Sequence, residues 1–153
     1  MTDDIIAHVG IWGAAFIIGL VSSVIPFVSA EVFIASVVIA TAQNPARVIV
    51  LCTIVAVGHI AAKVPMYYGA RGATRLAHPK PDGRLARARR WIERWRASPV
   101  ALTFVSALTG IPPFYAIALL AGMLELPFRG FLAVGLVGRI IRFSAVGLIA
   151  LYA

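Results

Sequence analysis

Apolar residues fall into four long blocks, and one polar stretch divides them two and two. The blocks run from Ile5 to Ala42, Pro45 to Gly69, Pro99 to Leu124 and Pro127 to Ala153, with the polar stretch from Ala70 to Ser98. Asn44-Pro45 and Ser98-Pro99 each set a capping side chain before a proline at the first helical position, and Pro127 opens the last block in the same way. The second and fourth blocks have about 25 residues each, roughly 37 Å of helix at 1.5 Å per residue. That length spans a hydrocarbon core of about 30 Å with some tilt. The first block is too long for one span and short for two, and it gathers Ser22, Ser23, Pro26, Ser29 and Glu31. The third is interrupted by Thr109-Gly110-Ile111-Pro112-Pro113. Proline removes a backbone donor and clashes with the preceding turn. Irregular backbone at membrane depth persists only when buried in protein or facing a wet cavity. Both blocks therefore predict broken, re-entrant hairpins with tips at Pro26 and at Pro112-Pro113.

The two halves echo each other. Val24-Ile25-Pro26-Phe27 parallels Gly110-Ile111-Pro112-Pro113-Phe114. Each is followed by an apolar arm, a basic residue (Arg47, Arg129) and a spanning helix. Those helices carry Gly58-His59 with Lys63, and Gly138-Arg139 with Arg142. A re-entrant hairpin plus one span reverses orientation, so two such halves form an inverted repeat, the layout of many secondary transporters. The expected fold is an all-α integral membrane protein forming one membrane domain. Repeat one covers residues 5–70, a cytoplasmic loop 71–98, and repeat two 99–153.

Composition agrees with the block pattern. Of 153 residues, 61% are hydrophobic and 13% charged, where soluble domains carry roughly 25% charged residues. The net charge is +8, but nine of the 14 Lys and Arg lie between Arg71 and Arg96. Such a run beside spanning helices reads as a cytoplasmic loop obeying the positive-inside rule rather than as a nucleic-acid surface. Within it, Leu85, Ala88, Ile92 and Trp95 form a stripe over Gly83 to Arg96, a basic amphipathic helix lying on the inner leaflet. Tyr67, Tyr68, Trp12 and Tyr152 read as interfacial belt residues. Cys52 is the single cysteine and reads as a small buried apolar residue. No cleavable signal peptide is evident, since Met1 to Gly10 lacks a basic region.

The candidate chemistry lies in charges inside apolar runs. Each costs about 3 to over 10 kcal/mol near the middle of a span unless paired or hydrated. Arg139 is about 15 Å into its helix from Arg129, and Arg142 is one turn on, on the same face. Arginine binds phosphate oxygens bidentately and keeps its charge in low dielectric, so this pair suits a lipid phosphate. Glu31 is the acid that can neutralise one arginine or carry a proton. His59 and Lys63, four residues apart, share a face of the second block. No nucleophile-and-base arrangement, metal cluster or phosphate-cradling loop occurs. Neither enzyme activity, metal nor cofactor is expected.

Ile25-Pro26-Phe27-Val28-Ser29-Ala30-Glu31 resembles the proline-to-acid hairpin of the DedA proteins, also called the SNARE-associated or VTT-domain family. Gly58-His59-x-x-Ala62-Lys63, followed by Tyr67-Tyr68-Gly69 and Arg71, is similar to that family's first glycine-rich span and its exit. Gly110-Ile111-Pro112-Pro113, Ala121-Gly122 and Gly138-Arg139-x-x-Arg142-Phe143 resemble its second hairpin and last helix. The likeness covers nearly the whole chain. One departure stands out: larger members carry a Phe-x-Arg-Phe-x-Pro-x-x-Arg pattern in the second hairpin, and Phe104 to Leu120 has no arginine. The chain thus resembles a short, divergent member. The resemblance implies two inverted re-entrant hairpins and movement of a phosphorylated lipid or lipid carrier between leaflets, often driven by the proton gradient. The expectation is a multi-pass flippase-like protein of a bacterial or archaeal cytoplasmic membrane. Arg139, Arg142, Lys63 and His59 would meet the headgroup, with Glu31 as proton carrier or ion-pair partner. Its partners would be membrane lipids with phosphate-bearing headgroups and a second copy of the chain, without nucleic acid. The same buried charges also fit a small-solute or ion transporter, or a membrane scaffold in which they only pair.

Overall fold

The computed structural model describes residues 2–25, 27–41, 44–76, 87, 90 and 99–153, with side chains of the first helix described from Gly10 onward. Regular structure among these residues is helical, without strands. The elements are α1 (Thr2–Val24), α2 (Ala30–Thr41), α3 (Pro45–Ala61), α4 (Lys63–Leu76), α5 (Pro99–Thr109), α6 (Phe114–Met123) and α7 (Phe128–Tyr152). Two helical stretches are long and apolar enough to cross a membrane: Pro45–Leu76 and Phe128–Tyr152.

Both expected breaks are present. The first block divides between Val24 and Ala30 into α1 of 23 residues and α2 of 12, and the third divides at residues 110–113 into α5 of 11 and α6 of 10. α2, α5 and α6 reach only about 15 to 18 Å, near half of a bilayer core, whereas α1 reaches about 34 Å. The second break has a local cause. Gly110 has φ 81°, a region open to glycine. Its N–H donates to Ser106 O at 2.9 Å, and the Ser106 hydroxyl donates onward to Pro112 O. Pro112 and Pro113 lie in this break, while Pro26 lies outside the described residues.

The second block forms the expected span-length helical stretch, marked by a turn at Ala62 between α3 and α4, where the backbone stays in the α region and Ala62 N still donates to Gly58 O at 3.3 Å. It continues to Leu76, six residues into the segment read as loop. Pro65 explains the turn. A proline inside a helix lacks the N–H that would bond to residue 61. Restarting the helix at Lys63 puts Pro65 in a first turn, where no donor is needed. At the start of α3 the expected cap forms, with Arg47 N donating to Asn44 Oδ1 at 2.9 Å. α7 opens at Phe128, just after Pro127, whose carbonyl accepts from Phe131 N. The amphipathic helix expected over Gly83 to Arg96 lies outside the described residues, apart from Arg87 and Arg90, which are helical and exposed.

The chain divides into two compact units, Met1–Val64 with Leu136–Ala153, and Pro65–Gly135. The first has a core of Ala15, Ile34, Val38, Leu51, Val55 and Phe143 with their neighbours, drawn from α1, α2, α3 and the second half of α7. Trp12, read as a belt residue, packs partly buried against this core. α1 and α3 approach closely through two glycines. A Cβ on Gly19 would strike Val55 O, and one on Gly58 would strike Phe16 O. The second unit centres on aromatic rings. Phe131 stacks on Phe114 at 5.6 Å and on Tyr67 at 5.9 Å between centroids. Tyr67 is therefore a core residue rather than a belt residue: it is fully buried, and its hydroxyl donates to Leu126 O. Tyr68 and Tyr152 are exposed, as belt residues would be.

Candidate functional site

The first unit assembles the candidate site from the ends of four helices and the middle of α7. The last four carbonyls of a helix lack donors within it, and two such carbonyls are met by side chains here. Ser23, in the last turn of α1, donates its hydroxyl to His59 O in the last turn of α3 at 2.8 Å. Lys63, the first residue of α4, donates its ammonium to Ser23 O at 2.6 Å. A cation at the carboxyl end of α1 also suits that helix's dipole. Lys63 is only 2% exposed, so its stem does not snorkel to an interface.

A second pair lies at the start of α2. Ser29 caps that helix, accepting from Val32 N at 3.3 Å, and its hydroxyl donates to Glu31 Oε2 at 3.0 Å. The other oxygen of Glu31 accepts from Arg142, with Nε at 3.0 Å and Nη2 at 2.9 Å. The two side chains are 29% and 31% exposed, so this ion pair borders the buried site rather than lying fully within it. Arg139, one turn earlier on α7, is 7% exposed, and its guanidinium lies 5.9 Å from the Phe143 ring centroid. His59 meets the same ring edge-on at 5.7 Å. The five residues singled out from the sequence thus fall within one unit, linked through Ser23, the Phe143 ring and the Glu31–Arg142 pair.

Their position along the helices sets the geometry. Lys63 stands about 27 Å along the helical stretch Pro45–Leu76, and Arg142 about 21 Å along α7, by rise per residue. The turn between α1 and α2 therefore meets both span-length helices part-way along rather than at their ends. The turn itself is apolar: Phe27 is 96% exposed, and in the other break Ile111 is 76% exposed. Comparison of the chain with protein-family models, curated proteins and solved structures finds no match. The resemblance to DedA proteins rests on the residue pattern alone.

Three features beside these charges are not evident in the sequence. Ser23 groups there only with the polar residues near Pro26, yet it is the bridge between His59 and Lys63. Pro65 marks the turn beside Lys63. Glu125, in the turn after α6 with φ 52°, holds Arg75 at 2.8 Å and Arg71 at 3.5 Å. Its partners lie 50 and 54 residues away, so no local spacing announces them. The one signal in the chain is an acid standing alone between apolar residues, two positions before Pro127.

Proposed function

We propose that this chain is a multi-pass membrane protein of the DedA type that moves a phosphorylated lipid or lipid carrier between leaflets. The observation that carries this reading is the burial of Lys63 and Arg139, beside the Arg142–Glu31 pair in the same unit, part-way along two helices of membrane-spanning length. Cations at that depth are costly unless they are paired or serve an anion. The apolar tips at Phe27 and Ile111 support a re-entrant placement, because a turn in water would leave these side chains in contact with solvent. In this reading the two halves are inverted repeats, and the segment from Arg71 to Arg96 faces the cytoplasm. Arg142 offers the edge of its guanidinium, now held by Glu31, to phosphate oxygens. Glu31 takes up a proton when the phosphate displaces it and gives it back when the phosphate leaves. Arg139, one turn earlier on α7, offers its planar fork to the same phosphate, and His59 and Lys63 supply the inner wall.

A second reading also draws on a specific observation. Lys63 and Arg142 already engage protein acceptors, Ser23 O and Glu31, as they would in a scaffold whose charges serve only to pair. Liposomes carrying the protein, a fluorescent polyprenyl or glycerolipid phosphate and a set pH gradient separate the two. Arg139→Ala is expected to abolish lipid movement while the protein still inserts. Arg139→Lys should restore part of it, since an ammonium lacks the planar fork. Glu31→Gln should keep binding and lose the dependence on the gradient. Wild-type flux in both Arg139→Ala and Glu31→Gln favours the scaffold.

A further inference from the structure

The second unit holds a shallow apolar groove. It consists of two adjoining crevices that share Pro99, Thr103 and Leu126 and are partly open to the surroundings. The walls come from the start of α5, from Ile117, Leu120 and Ala121 of α6, and from the turn into α7 with its first residues. Thr103 is the one polar side chain among them, and its hydroxyl is turned onto its own helix, donating to Pro99 O at 2.8 Å. The described side chains of the groove thus present almost only hydrocarbon. Its rim is charged. Arg129 is exposed between Pro127 and Gly130, which line the groove. The acid of the adjacent turn, Glu125, is bonded to Arg75 and Arg71, so it does not oppose an anion beside Arg129.

We infer that this groove binds one acyl chain of an anionic membrane lipid whose phosphate sits against Arg129. The apolar walls fit a chain, and the positive rim fits a negative headgroup. The groove is built from residues of the second unit and the Arg139 cluster from residues of the first, and its binding is read without any flux in variants that leave the Arg139 cluster unchanged, so it stands or falls separately from the transport reading. Gly130 offers the test. A Cβ built on it meets nothing within 4 Å, so Gly130→Leu adds a side chain beside the groove without a local clash.

The full-length protein in neutral detergent is titrated with fluorescent phosphatidylglycerol and with phosphatidylcholine of the same chains. Wild type is expected to prefer the anionic lipid. Arg129→Gln should weaken phosphatidylglycerol about fivefold, the effect of one surface charge, and leave phosphatidylcholine unchanged. Gly130→Leu should weaken both lipids on the order of tenfold, the equivalent of about two buried methylenes. Val100→Trp, at an exposed wall position, gives the same reading should Gly130→Leu fail to fold. Equal binding of the two lipids by wild type, or unchanged binding in Gly130→Leu and Val100→Trp, overturns the inference.

Discussion

At the scale of single residues, Ser23 has the most consequence for its size. Its hydroxyl and carbonyl join the ends of α1 and α3 to Lys63. Ser23→Ala removes a buried hydrogen bond and leaves His59 O without that donor, so it should destabilise the protein by about 1 kcal/mol. Lys63→Met leaves Ser23 O without its charged donor and should cost about 1.5 to 3 kcal/mol. Reversible unfolding in mixed micelles measures both, and the double variant should cost less than the two singles combined. Fully additive losses would mean that the two bonds do not form one unit. The charged members of this site are legible in the sequence because a charge in an apolar run announces its own cost. Ser23 is not, because a serine near a helix end has many ordinary uses and its partner lies 36 residues away. Tyr67 misleads for a related reason: a tyrosine near the end of an apolar run resembles a belt residue until its hydroxyl finds Leu126 O.

At the scale of elements, prolines decide where helices stop. The breaks at 25–29 and 110–113 are legible because proline clusters with glycine or serine there. The turn at Ala62 is not, because Pro65 sits alone in an otherwise good span. Pro65→Ala restores the missing donor and should slow amide exchange across residues 61–66 as α3 and α4 become continuous. Unchanged exchange would show that packing, not proline, holds the turn. The turn after α6 is tied differently. The hydrogen bond from Arg75, with the charges of Arg75 and Arg71 behind it, holds the Glu125 carboxyl below its usual 4.5. A depressed carboxyl stabilises the fold above 4.5, and that contribution fades as pH falls through the lowered value. At low ionic strength, wild type should therefore melt above Glu125→Gln at pH 7, and the gap should close below pH 4.5. A gap that stays constant with pH would rule out the ion pair as its source. The effect should be small and shrink with salt, because the groups are exposed.

For the whole molecule, the all-helical class and the two span-length helices follow from block length alone. Repeat symmetry and orientation rest on short motifs and on where cations fall, which a single chain encodes weakly. A direct measurement can decide the placement of the tips. Cys52 is buried, so a spin label on Phe27→Cys or Ile111→Cys reports one position in reconstituted bilayers. Both labels are expected to be relaxed by oxygen dissolved in hydrocarbon and little affected by a water-soluble nickel complex. Strong relaxation of either by the nickel complex would put that turn in water and remove the re-entrant arrangement.

The close contact of Gly19 and Gly58 gives the charge cluster its dimensions. One methyl group at either position forces α1 and α3 apart, and Ser23 lies one turn beyond Gly19 on α1. Its bonds to His59 O and Lys63 must stretch in the same movement. Neither glycine has a side chain to ionise, bind or donate, so polarity alone marks neither position. The distance from α1 to α3, and with it the reach from Ser23 to His59 O and Lys63, is in effect a length standard written as two missing side chains, and the smallest possible substitution resets it.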